Sequence, residues 1–155
     1  MVVITPAEMH HVDAVAVLVE EMDRHYGSTE FEPLEQRITQ VTDALFGDVP
    51  AAFVLLAWED DELVGLASYS FLWPAAGVTR SLYLKELYVA QARRRLGIGR
   101  QLMDTLFDVA RKHRCRRVEL TTDRENEEAR RFYAGLGVPV NIEKMFHRVE
   151  LTASG

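Results

Sequence analysis

The chain has 155 residues, 48% of them hydrophobic and 27% charged, with a net charge of −6 and a pI near 5.4. That is one domain's worth of an ordinary globular composition, and its charge argues against a protein that grips nucleic acid by bulk electrostatics. One cysteine, Cys115, excludes an intrachain disulfide, and no apolar run reaches the ~18 residues of a membrane helix.

The N-terminus lacks a signal-peptide pattern, so the chain reads as a soluble, cytoplasmic protein with no membrane partner. It reads as a single domain over residues 1–152, with a frayed tail at 153–155. The basic residues are uneven. Fifteen of the 18 are arginines, and nine of those lie between residues 93 and 124. A local basic patch on an acidic protein suits a small anion better than a long polyanion.

In chain order, Val2 to Ile4 is a short strand. Thr5-Pro6-Ala7-Glu8 has the form of a helix start, with Thr as N-cap, Pro at the first position and Glu at the third. Val12, Val15, Ala16, Val19 and Met22 then share one helical face up to His25-Tyr26-Gly27. His10 and His11 are neighbours that should point apart on a helix. With no cysteine or acid cluster beside them, no metal site is expected. Ser28 to Glu32 is a loop, and Pro33 to Phe46 a second helix closed by Gly47. Around the first helix end, Glu21, Asp23, His25, Tyr26 and Glu30 read either as an acidic lip for a cationic amine or as a solvated helix end.

Ala52–Trp58 and Leu63–Trp73 are strands of a hairpin joined at Glu59-Asp-Asp-Glu62. Trp73-Pro-Ala-Ala-Gly77 is a turn, and Trp73 either lines an acceptor site or packs at the rim. Leu82–Val89 is an apolar central strand. A helix from about Gly97 to Arg111 carries Leu102, Met103, Leu106, Phe107 and Ala110 on one face. Arg116–Thr122 is a strand, Glu127–Leu136 a short helix, and Val138–Asn141 and Lys144–Leu151 are terminal strand pieces. Cys115, between basic residues ahead of a strand, reads as structural.

Between the central strand and its helix stand Arg93, Arg94, Arg95, Gly97, Gly99 and Arg100. The first turn of a helix offers unpaired N–H groups and a partial positive charge, and glycines admit close approach. The stretch is suited to a pyrophosphate. It lacks the Gly-Lys-Ser/Thr of a P-loop. It also lacks a third glycine for a dinucleotide fingerprint, since position 102 is leucine.

Arg94-Arg95-Leu96-Gly97-Ile98-Gly99 resembles the Gln/Arg-x-x-Gly-x-Gly/Ala loop of the GCN5-related N-acetyltransferases (GNAT). Asn126, Ala129, Phe132, Tyr133 and Leu136-Gly137 resemble that family's second motif, in the same order and spacing. The resemblance covers residues 50–150 well and the first 50 more loosely. It implies an α+β fold: a mixed, mostly antiparallel sheet of six or seven strands, flanked by about four helices, with a splayed central strand pair.

It further implies acetyl-CoA as co-substrate, with no metal. Leu87, Tyr88 and Val89 would run along the pantetheine arm. Arg94, Arg95, Leu96, Gly97, Ile98, Gly99 and Arg100 would hold the pyrophosphate, and Asn126 and Tyr133 would touch the cofactor. The Leu87 amide would face the thioester carbonyl and Tyr133 would be the general acid. Glu86 is the candidate base, although a structural pair with an arginine fits it equally well. His25, Tyr26, Trp73 and Lys85 are candidate acceptor contacts.

In diamine acetyltransferases a Glu stands where this chain has Lys85. That departure disfavours a dication and suits an acceptor bearing a carboxylate or phosphate. The reading is an N-acetyltransferase acting on a small-molecule amine by direct attack, since no Cys or Ser nucleophile is set beside a base. Two alternatives are a protein or peptide N-acetyltransferase and a non-catalytic acyl-CoA sensor. Dimers are common among similar enzymes, so a homodimer stays open.

Overall fold

The computed structural model describes residues 1–152; the tail expected to fray at 153–155 lies outside the described residues. The chain divides into two units, Met1–Thr121 and the stretch from Thr122 onward. The first carries one sheet whose strands follow each other in chain order: β1 (Val2–Pro6), β2 (Phe53–Glu59), β3 (Glu62–Leu72), β4 (Arg80–Val89) and β5 (Cys115–Leu120). The first three pairings are antiparallel and β4–β5 is parallel. It also holds α1 (Val12–His25), α2 (Leu34–Phe46) and α3 (Ile98–Lys112), while α4 (Glu127–Gly135) belongs to the second unit.

The helix count and the mostly antiparallel sheet agree with the sequence reading. The strand count does not: among the described residues five strands stand where six or seven were expected. Val138–Asn141 and Lys144–Leu151 form no ladder among the described residues. Their apolar alternation suits a strand, but a strand exists only through its partner. Here Val140, Ile142, Met145, Val149 and Leu151 are 79–88% exposed.

The first helix also begins later than its local signal. Thr5 and Pro6 belong to β1, opposite Leu56 and Leu55, and the Trp58 indole N–H donates to the Thr5 hydroxyl at 3.1 Å. An edge strand tolerates proline. The reciprocal cap forms three residues on, between Glu8 and His11, around a 3₁₀ turn at Met9–His11.

Two helices cover opposite faces of the sheet. Val15, Leu18 and Met22 of α1 pack with Val54, Leu56, Leu66 and Tyr88. On the other face α3 buries Ile98, Leu102, Met103, Leu106 and Ala110. Gly65 marks how close this packing is: a Cβ there would lie 3.1 Å from the Tyr88 carbonyl oxygen and 3.3 Å from Leu102 Cδ1. Helix α2 packs on α1, and Arg37 ties the two by ion pairs to Asp23 (3.2 Å) and to Glu32 (3.3 Å) in the connecting loop.

The feature that positions the site is where β4 and β5 part. They pair only from Arg80 to Leu84, against Cys115 to Leu120. From Lys85 to Val89 the β5 side of β4 has no strand partner among the described residues, so the expected splayed pair is present.

Candidate active site

The chain leaves β4 through a 3₁₀ turn at Gln91–Arg93 and enters α3 at Ile98. Arg95 and Gly97 both take left-handed conformations, φ 66° and 81°. The two left-handed residues turn the main chain so that its amides are not consumed internally. Arg94 N–H still bonds to Gln91, and Gln101 N–H bonds to Gly97. Between them, the N–H groups of Arg95 through Arg100 find no acceptor among the described residues. These six consecutive amides, three of them in the first turn of a helix, are the donors that could hold an anion.

The structure sorts the arginines that the sequence left equivalent. Arg93 forms ion pairs with Glu59 (3.3 Å) and Glu62 (3.4 Å) of the β2–β3 hairpin. Arg94 turns back: its Nε donates to the Val89 carbonyl at 3.1 Å and its guanidinium stands 5.3 Å from the Tyr88 ring centroid. Arg95 and Arg100 are exposed and form no ion pair among the described residues. The charge available to a phosphate is therefore theirs. Leu96 is exposed, while the Ile98 side chain is buried in the core, so Ile98 has only its N–H to offer.

Lys85 and Glu86 do not face opposite sides as a regular strand would require. Ser68 opposes Glu86 and Tyr69 opposes Leu84, so Lys85 is the extra residue of a bulge. The bulge lets Lys85 Nζ approach Glu86 Oε1 to 3.9 Å. Past it, Glu86 and Tyr88 share the sheet face of Ser68 and Leu66, the face that α1 covers. Glu86 is 39% exposed there.

Tyr88 was expected along the cofactor. Its side chain is 2% exposed inside the α1 core, which leaves only its main chain for that role. Its hydroxyl donates to Glu21 Oε2 at 2.7 Å. Burial, then the hydrogen bond and the charge of Glu21, push the phenol up to about 12, with Arg94 acting the other way. A buried tyrosine needs a polar partner for its hydroxyl, and that requirement was the one sequence signal pointing to Glu21. The His25 ring lies tilted, 6.0 Å from the Tyr88 ring, and edge-on, 5.2 Å from the ring of the exposed Tyr26. Of the acidic lip, Asp23 is held by Arg37 and Glu21 by Tyr88.

Trp73 is not brought to this end. It follows Leu72, which opposes Ser81, eight residues or about 26 Å of strand from Val89. Its indole N–H closes its own turn on the Val78 carbonyl at 2.9 Å. In the second unit, Asn126 caps α4, its Oδ1 accepting from Ala129 N–H at 3.1 Å. Tyr133 stands edge-on to Phe132, ring centroids 5.1 Å apart.

His10 and His11 do not point apart: their rings are 4.0 Å apart, and ring nitrogens and the Glu8 carboxylate lie within 4.8 Å of one another. The tighter turn causes this. His11 Nδ1 already accepts from the Glu8 N–H at 2.9 Å, which leaves its other nitrogen carrying the proton and unfit as a metal ligand. Burial raises the Cys115 thiol above its usual range, with Arg80 opposing, which disfavours the reactive thiolate. No helix among the described residues is long and apolar enough to cross a membrane.

The model of the acetyltransferase (GNAT) family matches residues 15–138. The chain belongs to the GNAT acetyltransferase family. Among solved structures, an integron cassette protein from the mobile metagenome of V. cholerae is 29% identical, with a TM-score of 0.89, over 96% of this chain and 92% of that one. A ribosomal-protein-alanine N-acetyltransferase from Brucella melitensis biovar Abortus 2308 is 20% identical, with a TM-score of 0.78, over 97% and 100%. An aminoglycoside N-acetyltransferase in complex with CoA is 18% identical, with a TM-score of 0.78, over 97% and 96%. The last two share the fold and differ in acceptor, a ribosomal-protein alanine in one and an aminoglycoside in the other.

Proposed function

We propose that this GNAT protein transfers the acetyl group of acetyl-CoA to the primary amine of a small molecule by direct attack in a ternary complex. The observation that carries the reading is the run of six unbonded amides, Arg95–Arg100, at the end of a strand whose outer side is unpartnered from Lys85. The amides and the Arg95 and Arg100 side chains would hold the pyrophosphate, and the main-chain groups of Leu87 and Val89 on the side away from β3 would bond the pantetheine arm. Bound acetyl-CoA supplies the activated thioester.

The chain's own groups then have four tasks. The Leu87 N–H stabilises negative charge on the carbonyl oxygen, a contribution of about 3 kcal/mol for a preorganised donor. Glu86 takes the proton that the amine must lose before its lone pair can form the new N–C bond. Tyr133 donates a proton to the sulfur as the C–S bond breaks. Asn126 orders the start of α4 and with it the helix that carries Tyr133.

The acceptor end mixes charges. Glu86 attracts an ammonium, but Lys85 beside it disfavours a dication. A monoamine that also bears a carboxylate or phosphate fits this pair best. Thiol release from acetyl-CoA, followed across polyamines, amino acids, aminoglycosides and short peptides, tests the reading. Turnover on amines with an acidic group supports it, turnover on peptides alone would move the function to a protein acetyltransferase, and binding without turnover on any amine would make it a sensor.

A further inference from the structure

Glu21, Tyr88 and Arg94 form a continuous chain through the first unit. Glu21 lies in α1, on the acceptor side of the sheet. Tyr88 lies in β4, between the two residues assigned to the pantetheine arm. Arg94 opens the anion cradle. The links are a 2.7 Å hydrogen bond from the Tyr88 hydroxyl to Glu21 and the Arg94 guanidinium 5.3 Å from the Tyr88 ring centroid, fixed there by its bond to the Val89 carbonyl. Tyr88 is 2% exposed, so its ring has little freedom to move independently of either neighbour.

We propose that Tyr88 is a positioning residue that joins helix α1 to the pyrophosphate loop through Glu21 and Arg94, so that loading the loop orders the acceptor side. This rests on the reading of Arg95–Arg100 as the acetyl-CoA cradle. Arg94 serves here as the hinge of the loop and not as a phosphate ligand. When the amides beyond it engage a pyrophosphate, the contacts that Arg94 already makes with Val89 and Tyr88 open less often, and through the phenol so do those of Glu21 and the last turns of α1.

Amide hydrogen exchange over residues 17–27, with and without saturating acetyl-CoA, reads this coupling, with calorimetry measuring acetyl-CoA affinity in parallel. In the wild type, acetyl-CoA should slow exchange in that segment at least five-fold. Tyr88→Phe keeps the ring and removes the hydroxyl, so at an acetyl-CoA concentration that calorimetry shows to saturate the variant the ligand-linked slowing should disappear. Glu21→Gln still accepts from the phenol and should retain most of it. A merely structural Tyr88 would change exchange equally with and without ligand. Slowing that persists in Tyr88→Phe, or wild-type binding with no slowing in α1, would overturn this inference alone. A wild type that binds no acetyl-CoA would refute the cradle reading as well.

Discussion

Arg93, Arg94 and Arg95 are consecutive and identical in type, yet the structure gives them three different occupations, and this has a measurable consequence. Arg95 and Arg100 are exposed and without an acidic partner among the described residues, while Arg93 is already bound to Glu59 and Glu62. A guanidinium about 4 Å from a phosphate gains roughly 1 kcal/mol at the dielectric of water and about 4 kcal/mol at an effective dielectric of 20. For side chains this exposed the lower part of that interval applies, so each should contribute about 1–2 kcal/mol, five- to thirty-fold in affinity.

Arg95→Gln and Arg100→Gln should therefore each raise the calorimetric Kd for coenzyme A by that factor, and the difference from wild type should shrink between 50 and 300 mM salt. Arg93→Gln should change the Kd by less than two-fold and instead loosen the β2–β3 hairpin. Equal losses for Arg93→Gln and Arg95→Gln would refute the argument, as would full affinity in the Arg95→Gln/Arg100→Gln double variant.

Tyr133→Phe should lower kcat by ~10²-fold or more with little change in acetyl-CoA affinity, measured by thiol release; an unchanged kcat would remove Tyr133 as the acid. The Tyr88 phenol, raised to about 12, keeps its proton in the fold after the unfolded chain has lost it near the ordinary value of about 10. Its contribution is thus full below pH 10 and lost as pH rises through 12, an order of 2–3 kcal/mol in urea unfolding, and Tyr88→Phe should lack this part of the alkaline slope. Gly65→Val should destabilise by about 1–3 kcal/mol, because its Cβ meets the Tyr88 carbonyl at 3.1 Å and Leu102 at 3.3 Å; thermal unfolding at wild-type stability would show that α3 has room to shift.

Much of the fold could be read locally. The helix expected over Pro33–Phe46 appears at Leu34–Phe46, and the hairpin falls at Phe53–Leu72. What failed to read were features decided by partners distant in sequence. Thr5-Pro6 carries a helix-start signal, but pairing with Leu56 and Leu55 draws it into a strand. Lys85 and Glu86 obey period-2 alternation only without a bulge, and the bulge is set by register against Ser68 and Tyr69. Which arginine is free depends on Glu59 and Glu62, some thirty residues upstream. The position of the loop between β4 and α3 was legible because its glycines and the helix that follows are local signals, with no distant partner to find.

The central claim is that the main-chain amides of Arg95–Arg100 bind the pyrophosphate of acetyl-CoA. Titrating coenzyme A into ¹⁵N-labelled protein and following those amides by NMR tests it directly. The account predicts that the largest shifts fall on residues 95–100, with smaller ones along 85–89. Binding that leaves those amides unmoved, or no binding at all, would contradict it.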